Sequence, residues 1–464
     1  MRSNSKKRAT TGSLQKSRLS DRGITMSKSS TAETRYVDQF KQFSANGGKS
    51  APAWLKELRE DAIGRFENLG FPTTRDEEWR FTSVKDIVAQ QYELATKREL
   101  PSLDVAAVAV SPGDSHRIIL VNGKFVAGPA PESLPDGVAI HSLGRAFESH
   151  GELVRLHLAK YSCERENVFA ALNAAFITDG VFVFVPPEIV LDRPIEIIYV
   201  SNSNGPMVCH PRCLVIAGRG AKAVIIENFT ALEGSEYFTN AVSEVVLDAN
   251  ADIGLYRIQR EATNAHHVAT TQIYQSRDSR FALTTVAFGA ALARHDIQVV
   301  LDGEGAECSL RGVYSIRGSQ HTDHHTVIDH AKPHCNSFEH LNGVMDDSSR
   351  GVFNGRIIVR KGAQKTDAKQ NNGNLLLTES ARADSQPQLE IYADDVRCTH
   401  GATLGPLDQQ SLFYLESRGI GEADAKRLLT YGFGAEVFTA VPDSALRERL
   451  NKLLKDHLGA ANAK

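Results

Sequence analysis

The sequence predicts a mainly β protein whose central part, residues 179–405, is a β-solenoid, with helical regions on both sides. Two observations predict this fold class. Between residues 179 and 405 one short β-rich segment follows another, and no long helical period interrupts them. Turn-like openings recur there about every 27–30 residues, a period typical of repeat architectures. The positions that mark this recurrence are Ala221, Ala251, Ser279, Ala306 and Pro333.

Two other β folds stay open on this pattern. A propeller or a sandwich would use tight hairpins, for which Asn-Gly pairs are a strong signal. Such pairs are uncommon in this part of the chain, and the periodicity therefore favours a parallel β-helix without excluding the alternatives. The pairs begin at Asn204, Asn342, Asn354 and Asn372.

The chain before the repeats divides into two segments. Residues 1–35 are rich in Ser, Thr, Lys and Arg and lack the apolar core of a secretory signal, so they predict a disordered basic leader. The same composition also resembles an organelle transit peptide. Residues 36–178 predict an N-terminal helical region with a small hairpin at the turn Asn122-Gly123.

Residues 406–464 predict a C-terminal helical domain. Leucines recur at helical spacing from Leu446 to Leu458 and form an apolar stripe on one face of the last helix. Such a stripe either packs into a core or contacts a partner, and a short helical tail has little core of its own. Both interpretations stay open.

The composition excludes several classes of partner and location. A chain of 464 residues with a net charge of −3 gives no signal for nucleic acid or for an acidic membrane surface. No apolar run approaches the roughly 20 residues that span a bilayer. The six cysteines contain no CxxC pair, which fits a reducing compartment better than a disulfide framework. We therefore predict a cytoplasmic protein, or a stromal one if the leader is a transit peptide.

The segment Leu389–Gly405, LEIYADDVRCTHGATLG, is the first candidate site. If it is one extended strand, alternation places Asp394, Cys398 and His400 on the same side. A thiol two residues from an imidazole can bind a soft metal, act as a nucleophile or simply pack in a core. The residues alone leave these three roles open.

A histidine cluster is the second candidate site, but its HTDHH spacing matches no defined zinc or iron motif. On strands, these side chains would point in several directions, which favours a structural or surface role. The adjacent acids Asp394 and Asp395 would face opposite sides and suit glycosidase chemistry poorly. Neither a Walker P-loop nor a GxSxG elbow occurs. The cluster comprises His321, His324, His325, His330, His334, Cys335 and His340.

Several long motifs resemble the SufD family, whose members are subunits of the SufBCD iron–sulfur cluster assembly complex. LEIYADDVRCTHGATLGPLDQQSLFYLESRGI begins at Leu389, and GVFNGRIIVRKGAQKTDAKQNNGNLLLTESA begins at Gly351. FAALNAAFITDGVFVFVP from Phe169 and EEWRFTSV from Glu77 are also similar to that family. The paralogous SufB family tends to have Glu-His-Glu-Ala where this chain has Thr-His-Gly-Ala from Thr399, so the resemblance is to SufD.

The resemblance implies a right-handed parallel β-helix and a non-catalytic scaffold role. It implies pairing with SufB through the C-terminal end of the β-helix and docking of the ATPase SufC on the C-terminal helices. It assigns His400, with neighbouring Cys398, to a nascent iron–sulfur cluster that is transient and shared with SufB, so that the isolated chain holds no tight cofactor. It also allows a homodimer of the isolated chain. The residues implied in partner binding are Leu412, Phe413, Tyr414, Leu415, Leu428 and Leu429.

Two functions from other classes compete with this interpretation. A β-helix carbohydrate-active enzyme, either a lyase or a hydrolase, would need an acid pair or a cation site along an exposed groove. A stand-alone metal-binding protein would use the histidine cluster, and metal analysis of the isolated chain would distinguish it from a scaffold.

Overall fold

The computed structural model describes residues 31–46, 51–95, 104–161, 167–232 and 234–459. Its core is a parallel β-solenoid with helices before and after it, as the strand pattern predicts. Residues 1–30 of the predicted leader lie outside the described residues, and the first helix begins at Thr31, inside the segment predicted as leader.

Helices flank the solenoid in both directions along the chain. None of those in the described part is long and apolar enough to cross a membrane. Before the solenoid lie α1 (Thr31–Asn46), α2 (Ala53–Leu69), α3 (Lys85–Ala89), α4 (Val105–Val108), α5 (Leu143–Ser149), α6 (Gly151–His157) and α7 (Val168–Ala175). After it lie α8 (Gln409–Ser417), α9 (Glu422–Ala435) and α10 (Ser444–Gly459).

The strands fall into two groups. Short strands precede or begin the solenoid: β1 (Glu93–Leu94), β2 (His116–Val121), β3 (Lys124–Ala127), β4 (Ala139–Ser142), β5 (Val181–Val185), β6 (Ile195–Ser201) and β7 (Met207–Cys209). The regular strands are β8 (Arg212–Ala217), β9 (Lys222–Ala231), β10 (Tyr237–Leu247), β11 (Asp252–Arg260), β12 (His266–Gln275), β13 (Arg280–Ala287), β14 (Leu292–Leu301), β15 (Glu307–Ile316), β16 (His321–His330), β17 (Asn336–Met345), β18 (Arg350–Val359), β19 (Asp367–Leu376), β20 (Arg382–Ile391) and β21 (Arg397–Gly405).

Two parallel sheets face each other across the solenoid. Even-numbered strands from β8 to β20 form sheet A, and odd-numbered strands from β9 to β21 form sheet B, so the described residues make seven coils. Each strand pairs one-to-one with the next strand of its sheet, as in Cys308↔Ser337 and Ser337↔Ala368. Because pairing is in register, residues at equivalent positions stack on the same face from coil to coil.

A corner of the same form leads from sheet A to sheet B in the first six of the seven coils. One residue there has positive φ, and it precedes a small buried residue that leads into a strand of sheet B. Glycine, asparagine and aspartate tolerate positive φ best, and they fill most of these positions. The positive-φ residues are Gly220, Asn250, Asp278, Gly305, His334 and Lys365. The small residues are Ala221, Ala251, Ser279, Ala306, Cys335 and Thr366.

The recurrence predicted from the sequence is correct at four corners and wrong at the fifth. Cys335, not Pro333, is equivalent to Ala306, because the N–H of Asn336 donates to the carbonyl of Ala306. The loop before this corner is longer by two residues than alignment on Pro333 allows. Cys335 is fully buried there, and the pKa of its thiol is raised by burial, which indicates a packing role.

The helices cover the outer faces of the two sheets. Helix α7 is buried along its whole length, and the Asn173 side-chain amide donates to the carbonyls of Pro211 and Asn240 at 3.0 and 2.8 Å. On sheet B the apolar stripe of α10 packs against Val313 and Phe438, so it belongs to the core. Its contribution to a docking surface, left open by the sequence, is therefore excluded for the buried leucines. These are Leu446, Leu450, Leu453 and Leu454.

Candidate functional site

The segment Leu389–Gly405 is two strands joined by a corner. Strand β20 ends at Ile391 and β21 begins at Arg397. The prediction of one extended strand is wrong, and Asp394 therefore does not share an edge with the thiol and the imidazole. The reason is the coil geometry, since the chain must turn here to pass from sheet A to sheet B.

Main-chain and side-chain contacts hold this corner. The N–H of Asp395 donates to the Gln364 side-chain oxygen at 2.9 Å, and the N–H of Lys365 donates to the carbonyl of Asp395 at 2.6 Å. The Asp395 carboxylate forms an ion pair with the Lys365 ammonium. The acids that could have suggested a glycosidase are thus exposed corner residues.

Cys398 and His400 do share a face, and this face points into the solenoid. Their register partners on β19 are Ala368 and Gln370, and both partners are buried. In the part of the chain that the structure describes, no coil follows β21, and at this end of the lumen Cys398 is half-buried against the core and His400 is exposed. Burial, followed by the nearby Asp367 carboxylate, raises the pKa of the Cys398 thiol, so this thiol is mostly protonated at neutral pH.

A buried acid lies two coils below His400, and sequence analysis missed it. Glu339 on β17 pairs with Gln370, which pairs with His400, so the three side chains stack. The Gln370 amide donates to Glu339 Oε2 at 2.7 Å. Burial raises the pKa of Glu339 to about 7. The sequence did contain a signal for this stack, because Glu339, Gln370 and His400 are polar residues that recur at about the repeat period.

The histidine cluster is dispersed, as the strand pattern predicts. On β16, His321 and His325 face the N-terminal region, whereas His324 and His330 face the lumen, where His330 Nε2 lies 2.9 Å from Ser337 Oγ. His334 is one of the positive-φ corner residues. Within the described ranges, no group of three or more His, Cys, Asp or Glu side chains is placed to hold a metal ion.

The outward histidines of β16 fasten the EEWRFTSV motif to sheet A. Asp323, which is buried, accepts hydrogen bonds from Thr82 at 2.5 Å and Arg294 at 2.8 Å. His325 bridges Asp323 and Glu78 at 3.2 and 3.3 Å. Burial disfavours its charge, but the Asp323 carboxylate outweighs burial and raises the pKa of His325 to about 9. This cluster is a structural attachment.

The residues implied in partner binding differ in exposure. Phe413 and Tyr414 on α8 are 71% and 56% exposed, and Leu428 on α9 is 50% exposed. Leu412 is buried, and Leu415 and Leu429 are half-buried. The two helices pack together, so these three exposed apolar side chains belong to one helical unit. We call Phe413, Tyr414 and Leu428 the α8–α9 patch.

Comparison with known proteins gives the family. Residues 199–433 match the SufBD core domain of the SUF system for FeS cluster assembly, and residues 30–197 match the SufBD protein N-terminal region. A SufBD family iron–sulfur cluster assembly protein of Synechocystis sp. is 32% identical over 411 residues, which cover 86% of this chain and 90% of that protein. The chain belongs to the SufBD family.

Two relatives named SufD support the resemblance found in the motifs. The iron–sulfur cluster assembly protein SufD of Escherichia coli is 29% identical, with 88% of this chain and 93% of that protein covered. The SufD protein of Bacillus subtilis is 28% identical, with 90% and 97% covered. This chain is thus a SufD-like SufBD family protein of iron–sulfur cluster assembly.

Proposed function

We propose that this chain is a non-catalytic scaffold subunit of the SUF system, and that nascent iron–sulfur clusters form at the open end of its solenoid. The observation that carries the proposal is the lumen face of β21, where an exposed imidazole and a half-buried thiol stand side by side at the uncovered end. Thiolate and imidazole are suitable ligands for iron.

The donor set is incomplete, which supports a site shared with a second protein. An iron–sulfur cluster is usually held by four ligands, and the open end offers two from this chain. The cluster is therefore cargo held between chains, in keeping with pairing to SufB through this end. The open end exposes apolar side chains, Ile391, Tyr392 and Leu404 at 41–62%, beside charged residues such as Asp394 and Arg397, a mixture that suits an interface.

Replacing His400 tests the site. We expect His400→Asn to reduce cluster formation in the complex by tenfold or more, because an amide is a poor iron ligand. Complex recovery should be unchanged, since substitutions at exposed positions usually change stability by less than about 0.5 kcal/mol. Cluster formation is measured by iron and sulfide content and by absorption after reconstitution of the complex.

A matched control separates the ligand role from a general loss of histidine. His334→Asn removes another exposed imidazole of the solenoid, at a positive-φ corner that asparagine tolerates, and should support normal cluster formation. Cys398→Ser should have a smaller effect than His400→Asn, since the partner can supply thiolate. Full cluster formation by His400→Asn in a normally assembled complex would contradict the site assignment.

The α8–α9 patch is the proposed docking surface for the ATPase SufC. Large exposed apolar side chains on two packed helices are typical anchors of an interface. We expect Phe413→Ser combined with Leu428→Ser to weaken SufC binding at least tenfold, or by about 1.4 kcal/mol. Leu156→Ser is the matched control, because Leu156 is 64% exposed on α6. Calorimetry measures the SufC affinity of the Phe413→Ser/Leu428→Ser double variant and of Leu156→Ser. Equal affinities of these two proteins for SufC would refute this assignment.

A further inference from the structure

One register position of sheet B changes character along the solenoid. In the earlier coils it is filled by buried aliphatic side chains that stack in the lumen, and in the last three coils by polar ones. The aliphatic residues are Ile225, Leu255, Leu283 and Leu310. The polar residues are Glu339, Gln370 and His400.

This change costs stability. Glu339 and Gln370 are fully buried, and burial of a carboxyl or an amide is unfavourable unless its hydrogen bonds are satisfied. We call the side chains stacked at this register position the lumen file. One coil before Glu339 the lumen file contains Leu310, so an aliphatic residue fits the position. The polar residues begin only where the lumen file approaches the open end. A role at that end explains their position better than packing does.

The hydrogen bond within the lumen file gives the Gln370 amide a direction. Its Nε2 group donates to Glu339 Oε2 at 2.7 Å, so the amide nitrogen faces the coil below. Its Oε1 atom is buried and has no hydrogen-bond partner among the described residues. The next side chain of the lumen file on the other side is His400, one strand away at about 4.8 Å between backbones.

We infer that Gln370 and Glu339 are positioning residues for His400. The Glu339 carboxylate holds the Gln370 amide and leaves its buried oxygen without another hydrogen bond in the described part of the chain. A contact between this oxygen and His400 is not made in the structure, where His400 is exposed, but when the His400 ring turns towards the lumen, the free oxygen is the acceptor for the N–H of one ring nitrogen. The other ring nitrogen then presents its lone pair to iron. The inference rests on the proposed function, in which His400 is a ligand. Histidines that bind metals commonly donate their second N–H to such an acceptor, which fixes the tautomer.

The tautomer of His400 can be measured in the isolated full-length chain, without cluster or partner. We label histidine with ¹⁵N, assign His400 from the signals lost in His400→Asn, and record spectra at about pH 8.5, above the ordinary histidine pKa. In the unmodified chain we expect one of the two neutral tautomers of His400 to predominate, with the proton on the ring nitrogen that faces Gln370. Gln370→Met keeps the volume of the side chain and removes the acceptor, so both tautomers should appear.

The control is Asn371→Met, which makes the same kind of change at an exposed position of the same strand and should leave the tautomer unchanged. In the reconstituted complex, Gln370→Met should lower the rate of cluster formation about 10- to 100-fold. An unchanged tautomer in Gln370→Met, or a normal rate of cluster formation where His400→Asn fails, would overturn the inference.

A double variant keeps the test decisive if Gln370→Met does not fold. Glu339→Gln combined with Gln370→Glu exchanges the two groups, keeps a hydrogen bond between them and leaves an acceptor beside His400. The same ring nitrogen should stay protonated, and loss of this preference would count against the inference. Failure of the proposed function is distinguishable, because normal clusters in His400→Asn would refute that function alone while the tautomer is measured without cluster.

Discussion

The two ends of the solenoid are built differently. At the amino-terminal end, sheet B is extended by β6, β2 and the antiparallel strand β3, and sheet A by β5 and the antiparallel strand β4. At the carboxy-terminal end, β20 and β21 have no strand on their outer edges within the described residues. At the first end, which we call the closed end, the outermost strands β3 and β4 are only four residues long, and short edge strands discourage pairing with other chains. The open end presents unpaired backbone groups along strands of ten and nine residues.

The lumen shows the same contrast. Near the closed end it is filled by apolar side chains such as Ile197, Val215 and Ile225, all of which are buried. At the open end it contains Gln370 and then His400. We interpret the closed end as the part that supplies stability and the open end as the surface proposed above for cluster formation and SufB pairing.

The largest effect is expected at the closed end. Arg212 and Glu244 are fully buried under α7, and the Arg212 guanidinium donates to Glu244 Oε2 at 2.6 and 3.0 Å. We expect Arg212→Leu to lower the free energy of unfolding by about 3–5 kcal/mol, because the Glu244 carboxylate stays buried and loses the guanidinium bonded to it. Urea unfolding followed by circular dichroism measures this change.

The control is an exposed ion pair of the same coil. Arg219 lies 3.2 Å from Glu188, both side chains are solvated, and Arg219→Leu should cost less than about 1 kcal/mol. Similar losses in the two variants would contradict the view that the closed end depends on its buried contacts.

The second effect concerns pH and the polar part of the lumen. Glu339 has a pKa near 7 when folded, against about 4.3 for an ordinary glutamate, so the folded chain binds more protons between these values. Its contribution to stability is therefore complete below about pH 4.3 and is lost as pH rises towards 7. Glu339→Gln removes this dependence.

We expect the stability of Glu339→Gln relative to the unmodified chain to rise with pH by up to about 3 kcal/mol between pH 4.5 and 7.5. Chemical unfolding of both chains at several pH values measures it. Glu304→Gln, at an exposed corner, controls for the loss of one carboxylate. A difference between the Glu339→Gln and unmodified chains that does not change with pH would show that Glu339 is ionised in the fold as easily as in water.

Much of the fold could be predicted from the sequence, because strands and corners each depend on residues that are close together in the chain. Alternation identified the strands, and the recurrence of small residues identified four of the corners. The corner at Cys335 was displaced by two residues, since a loop can lengthen without changing the local pattern. The break after Ile391 was missed because alternation was continued through Tyr392–Val396, although its two aspartates are uncommon in strands and favour the turn that the stacking of coils requires there.

The candidate site was predictable in part. The shared face of Cys398 and His400 follows from their spacing and is confirmed. Glu339 was not found, because its importance depends on register across two coils, about 30 residues apart at each step, and on burial that no local pattern reveals. Whether His400 binds a nascent cluster stays a prediction.

The edges of the open end differ from each other. On β20 the N–H groups of Arg382 and of Tyr392, just beyond its end, donate towards β18, so alternation turns the nitrogen of Pro387 to the outer edge. Proline lacks an N–H, and on an edge strand it blocks pairing with another chain. On β21, Arg397 donates towards β19, so the N–H of Ala402 faces outward, and no proline interrupts this strand. A partner strand can therefore pair with β21 more completely than with β20.

The smallest effect on stability, with a clear effect on binding, is expected from Ala402→Pro. The substitution removes one outward N–H from β21 and no hydrogen bond of the solenoid, so it should cost about 1 kcal/mol of stability. If SufB adds a strand to this edge, as the proposed pairing suggests, its affinity should fall at least tenfold. Ala402→Ser keeps the N–H and should bind normally. Calorimetry with purified SufB gives both affinities. An unchanged affinity for Ala402→Pro would mean that side chains alone make the contact and that SufB does not pair with the backbone of β21.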